Sequence, residues 1–164
     1  MRRAADLIDH AIDAIGRVAA WATFALVLVM AGNVLLRYGF ATGSVWAQEL
    51  EWHLMSPIAL IGMSYALRHG EHVRVDVLYA RFGAKAQAAI DLLAALLLIA
   101  IALVVVDLSW GYVAQSWRVN EGSANPGGIP HRWALKALIP LGFLLLALQA
   151  VSSALRAALR LRAA

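Results

Sequence analysis

Cysteine does not occur among the 164 residues, which excludes disulfides and thiolate-held metal. Charge is scarce too: Asp, Glu, Lys and Arg make up 15% of the chain, against about 25% in an average soluble domain. No Gly-rich phosphate loop, nucleophile elbow or metalloprotease motif is present, so nothing points to an enzyme. What remains is apolar. Hydrophobic residues account for 62% of the chain, and the mean hydropathy is +0.72. This composition defines an integral membrane protein. The pI near 10.0 would suit a nucleic-acid binder, but the basic residues stand at the ends of apolar runs, where they set topology. No nucleic-acid partner is expected.

A helix needs about 20 apolar residues to cross a hydrocarbon core of about 30 Å. Four runs qualify, at about 18–36, 48–67, 86–110 and 133–155. They predict an all-α membrane protein with one four-helix transmembrane domain over 1–164. Ahead of them, residues 1–17 place Leu7, Ile8, Ala11, Ile12 and Ile15 at helical spacing among Asp6, Asp9, His10 and Asp13. This predicts a short amphipathic helix on the membrane surface or docked on a partner. Arg2 and Arg3 raise the idea of a signal peptide. The apolar run comes late, exceeds a signal core and has acids before it, so the stretch is expected to be retained. Between the second and third spans, Asp76 is expected to cap a short helix that reaches Phe82 and ends at Gly83. Asn125-Pro126-Gly127-Gly128 signals a turn in the last link. The chain shows no internal repeat.

Ten of the fourteen Lys and Arg lie in the N-terminus, the second link and the C-terminus. The positive-inside rule then puts both termini in the cytoplasm and residues 120–128 in the periplasm. Tyr38, Trp46, Trp52, Trp110, Trp117 and Trp133 cluster at the outer interface in agreement.

The stretch 46–76 carries the unusual chemistry. Glu49, Glu51 and His53 occupy the first turns of an otherwise apolar span, and Pro57 lies within it, where it predicts a bend. Glu49 and His53 share a face, while Glu51 points almost opposite. Acids in such a place need partners or headgroup water. Arg37 ends span one at the same depth, so an Arg37 pair with Glu49 or Glu51 is the expected arrangement, across the short link 39–45. Subunit contact and an ion or proton relay stay open as alternatives. Gly62 with Ala66, and Ala31 with Gly32, offer small-residue faces for close helix approach. His69 and His72 sit in a polar link and are expected to be solvated. His53 alone lies within a span, so a two-ligand haem is disfavoured and His53 is expected to be a hydrogen-bonded packing residue.

Several of these residues fall in a recurring order. Arg37-Tyr38 closes span one, and Trp46 precedes Glu49. Gly62 is followed by Tyr65-Ala66-Leu67-Arg68, then by Gly70-Glu71-His72-Val73-Arg74-Val75-Asp76. Together they resemble the small membrane subunit of tripartite ATP-independent periplasmic (TRAP) transporters, over essentially the whole chain. The stretch EGSANPGGIPHRWALKALIPLGF resembles the branch associated with keto acids and similar carboxylates. The resemblance implies a multi-pass protein of the bacterial inner membrane, partnered by a large membrane subunit and a periplasmic substrate-binding protein. It implies a scaffold in sodium-driven organic-acid uptake. Substrate and sodium would lie in the large subunit, with no catalytic residue, metal or cofactor in this one. Arg37, Tyr38, Trp46, Glu49, Glu51, His53, Gly62, Arg68, His72 and Asp76 stand as structural or subunit-contact candidates. Two other classes compete. A stand-alone four-helix multidrug exporter would place an acid where span one has only Asn33. The haem-bearing anchor of a respiratory complex would need paired membrane histidines.

Overall fold

The computed structural model describes residues 2–70 and 79–163, and these form four long helices. Helix α1 spans Arg2–Phe40, α2 Val45–His69, α3 Ala84–Arg118 and α4 Arg132–Ala163. Helix α4 is the hub. Helices α1 and α2 pack on each other and on α4, whereas α3 packs substantially on α4 only.

Residues 1–17 differ from the expectation of a separate surface helix. Helix α1 runs unbroken for 39 residues, about 58 Å at 1.5 Å each. Its buried positions Ala5, Asp9, Ile12, Gly16 and Ala19 alternate in steps of four and three, the spacing of a helix–helix seam. The larger apolar side chains Leu7 and Ile15 are exposed instead. Ala5, Gly16 and Ala19 take the contact side beside Ile12 because small residues let neighbouring backbones approach. The seam continues across the junction at Arg17 and Val18, so nothing stops the helix there.

The same physics shapes α3. Its buried residues are Ala88, Ala95, Ala102, Ser109 and Ser116, one every seven residues. A strict seven-residue period keeps one narrow stripe facing a partner helix through a left-handed supercoil. Close approach also occurs between α2 and α4. A Cβ on Gly142 would stand 2.7 Å from the Leu60 carbonyl oxygen, so only glycine fits there. Gly62 and Gly32, the expected contact glycines, face open space.

Helix α2 opens on Ser44, whose hydroxyl accepts from the Ala47 N–H at 3.3 Å, and ends at Gly70 in the left-handed region (φ 77°). It continues through Pro57. Of the expected short helix between Asp76 and Phe82, only residues from 79 onward are described. They turn, with the Phe82 N–H donating to the Tyr79 carbonyl at 3.1 Å. Among the described residues, α1, α3 and α4 are long and apolar enough to cross a membrane, and α2 is not among them. At 25 residues its length suffices, but Gln48, Glu49, Glu51 and His53 make its first half polar.

Candidate functional site: a polar cluster at each end of the bundle

Antiparallel packing brings the polar residues into two groups. At the end bearing both termini, Asp9 of α1 is 1% exposed. It accepts from Ser152 Oγ at 2.7 Å and Gln149 Nε2 at 3.1 Å, and it pairs with the Arg156 guanidinium. Arg68 Nε of α2 stands 3.6 Å from it. Asp13, one turn on, lies 3.8 Å from Arg68 Nη2 and accepts from His69 Nε2 at 3.0 Å. Asp6 pairs with Arg156 at 2.8 Å, and Asp91 of α3 with Arg160 at 2.9 Å. All four helices are therefore tied at this end by acid–base pairs. Between the first turn of α1 and the last turns of α4 a cavity of about 520 Å³ opens, bordered by Arg2, Asp6, Arg156 and Arg160. Arg156 and Arg160 already serve the acids just named.

At the other end the link between α3 and α4 folds back over the bundle. Its base is closed by three contacts. The Glu121 N–H donates to the Ser116 carbonyl at 3.0 Å, and the Arg132 N–H to the Glu121 carbonyl at 2.9 Å. His131 Nδ1 donates to Asn120 Oδ1 at 3.2 Å. Within the link, the Gly128 N–H donates to the Asn125 carbonyl at 3.1 Å, and Gly127 has φ 79°. This is a type II turn, with Pro126 and Gly127 at the two positions suited to them. The turn aims its donors at α2. Glu49, 3% exposed, accepts from the Ile129 N–H at 2.7 Å, from Asn125 Nδ2 at 3.3 Å and from the Ser123 hydroxyl. A Cβ on Gly128 would lie 2.6 Å from Glu49 Oε2, so the second glycine makes room for the carboxylate.

Beside this cradle, Asn33 Nδ2 of α1 donates to Glu51 Oε1 at 3.0 Å. Lys136 Nζ pairs with Glu121 and stands 3.9 Å from the Tyr112 ring centroid. Trp117 and Trp133 meet edge to face, with centroids 4.4 Å apart. The hydrogen bond from Lys136 holds the Glu121 carboxyl below its ordinary value of 4.5.

The predicted site residues divide accordingly. Glu49 and Glu51 are both bonded, but the expected Arg37 pair is not formed: Arg37 is exposed and makes no ion pair among the described residues. Asn33 takes one glutamate, the loop takes the other, and an arginine is left free to reach water. Tyr38 and Trp46 are exposed. His53 is half-buried and its Nδ1 donates to the Glu49 carbonyl at 2.7 Å, the packing role expected of it. Arg68 joins the Asp9 cluster. His69, expected to be solvated, bonds Asp13 and lies 4.3 Å from the Tyr65 ring centroid. His72 and Asp76 lie outside the described residues. Asp9, Asp13, Gln149, Ser152 and Arg156 were not singled out by sequence. The one available signal was an acid standing in the four-and-three repeat of small residues in α1.

Long apolar helices, tied to one another at both ends by their own polar side chains, define a helical membrane protein. Its family is established by residues 26–160, which match the model of "Tripartite ATP-independent periplasmic transporters, DctQ component". The chain belongs to that family, as its motifs suggested. It is therefore a TRAP transporter component of the small membrane-subunit type, and the family is not one of enzymes. No curated protein matches the chain.

Proposed function

We propose that this chain is the scaffold subunit of a sodium-driven organic-acid uptake system of the bacterial inner membrane. It supports a large membrane subunit that carries substrate and sodium, and a periplasmic binding protein delivers a carboxylate, keto acids being the leading class. The observation that carries this reading is the fate of the buried acids. Asp9 and Glu49 each accept three or more contacts from their own chain, so their bonding capacity goes into holding helices and loop. Broken helices with free carbonyls, the usual ion-binding device of a transporter, do not occur in α1, α2, α3 or α4.

In this reading α2 is the fourth crossing. In its polar first half Glu49 is buried under the α3–α4 link and Glu51 accepts from Asn33 of α1, so neither carboxylate is left unpaired toward lipid. Both termini then lie in the cytoplasm with the arginines of the Asp9 cluster, and the Glu49 cradle faces the periplasm. The test is reconstitution. Proteoliposomes holding this chain alone should take up nothing, and the three-part system should accumulate an organic acid only with an inward sodium gradient. Uptake by this chain alone overturns the scaffold role. A reporter fused after residue 163 that reads as periplasmic overturns the topology.

A further inference from the structure

Asp107 is a charge that nothing among the described residues serves. It lies in the most apolar of the helices, is exposed, and has no hydrogen bond or ion pair among the described residues. Its placement rules out internal rescue. The α3 seam against α4 runs through Ser109, two residues on, so at about 100° per residue Asp107 points roughly 160° away from it. Among the described residues, α4 is the only helix that packs substantially on α3.

Depth makes the lack of a partner costly. Asp91 and Asp107 are about sixteen residues apart, or roughly 24 Å of helix, less than a hydrocarbon core of about 30 Å. Both cannot stand outside the core. Asp91 is held by Arg160 at the end crowded with arginines, while Asp107 falls one turn inside the exposed Trp110, a residue type that marks the membrane interface. Asp107 is thus the acid left toward lipid. Its surroundings suit a helix rather than acyl chains. Ala100 and Gly111 share its face and are exposed, and a Cβ on Gly111 would meet nothing within 4 Å, so a second backbone can come close.

We propose that the Asp107 face of α3 docks the large membrane subunit, which presents a Lys or Arg side chain to the carboxylate inside the membrane. The proposal rests on the scaffold reading above. An intramembrane carboxylate with no local partner calls for a cation from its neighbour, and the free face of α3 is where a neighbouring helix fits.

The test uses the natural absence of cysteine. In membranes co-expressing the two subunits, Asp107→Cys should cross-link to the large subunit, and Trp21→Cys on the exposed face of α1 should not. Asp107→Leu should lower the large subunit recovered per copy of this chain by about tenfold or more, because it strands the partner's cation. Asp107→Glu should restore most of the recovery. Since Asp107 makes no hydrogen bond or ion pair among the described residues, the yield and Tm of the separately purified chain should not change. Loss of that Tm, or full recovery of the large subunit with Asp107→Leu, overturns the proposal and leaves the scaffold reading standing. If the unmodified chain recovers no large subunit, the scaffold reading itself fails.

Discussion

Asp9 and Glu49 are the two carboxylates buried among the described residues, and they are held in opposite ways. Asp9 sits between two arginines from two other helices, with a serine and a glutamine completing its shell. Glu49 forms no ion pair among the described residues; its donors are a hydroxyl, a side-chain amide and a backbone N–H, all from one loop. The difference separates two tasks. A carboxylate shared by cations on separate helices fixes how those helices pack. A carboxylate filled by neutral loop donors fixes where a loop rests. The ion-paired end therefore carries the bundle, and the neutral end shapes the surface over it.

The largest expected effect tests the first half of that contrast. Asp9→Ala leaves Arg156 and Arg68 facing each other across a buried gap and frees the Gln149 and Ser152 donors. Arg156 is about half exposed, so water relieves part of the strain. The cost should fall below the about 3–5 kcal/mol of a fully buried pair and still exceed any other single substitution considered below. Tm of the purified chain measures it, and a shift smaller than that of Glu49→Ala would refute the division of labour. The double variant Asp9→Ala with Arg156→Met should recover part of the loss.

Glu49→Ala should act locally. The loop loses three bonds to one side chain while the helices keep their seams, so residues 122–129 should be cleaved by added protease roughly tenfold faster, with a small change in Tm. Gly128→Val should reproduce the phenotype from the other side, since its Cβ enters the space of the carboxylate. If either variant melts the bundle and spares the loop, the two ends do not differ as argued.

A third substitution sharpens the comparison at the depth of Glu49. Asn33→Leu removes the one bond from α1 to Glu51; a hydrogen bond to a charged group is worth about 1.5–3 kcal/mol, and the part-buried setting puts this one at the low end. Arg37→Ala, which removes no described contact, should stay within about 0.5 kcal/mol in the isolated chain. Reversed magnitudes would restore the Arg37 pair expected from sequence.

These contrasts also show what the sequence could reveal. The four long helices are legible as four apolar runs, and α1, α3 and α4 are long and apolar enough to cross a membrane, because the need to fill about 30 Å of hydrocarbon writes itself into length and composition. The turn at Pro126-Gly127 is legible because few residues adopt its dihedral angles. That the turn delivers Ile129 and Asn125 to Glu49, about eighty positions earlier, is not, since no local pattern encodes a contact across the bundle. Arg37 shows the opposite failure. Proximity in the chain favoured an ion pair, yet tertiary packing gave both glutamates neutral donors. The α3 seam was present as Ala88, Ala95, Ala102, Ser109 and Ser116, but small residues spaced by seven vanish in a run apolar on every side. Residues 1–17 misled for a related reason. Leu7 and Ile15 looked like part of the buried stripe, and Ala5, Asp9, Ile12, Gly16 and Ala19 formed it.

The smallest effect concerns pH. The bond from Lys136 depresses the Glu121 carboxyl below 4.5, so folding favours its charged form. The sign follows from linkage: an acid with a lowered folded-state value stabilises the fold above its ordinary value. That contribution fades as pH falls through the lowered one. The loop base should therefore hold steady above about pH 4.5 and loosen progressively below it. Glu121 is about one-third exposed, so solvent screens the pair and the change is slight. Hydrogen exchange of the Arg132 N–H, which donates to the Glu121 carbonyl, reports it directly. In Glu121→Gln, protection should be lower at neutral pH and should fall less on acidification than in the unmodified chain. An unchanged acid profile would mean that Lys136 does not hold this carboxylate, and that the backbone bonds alone close the loop.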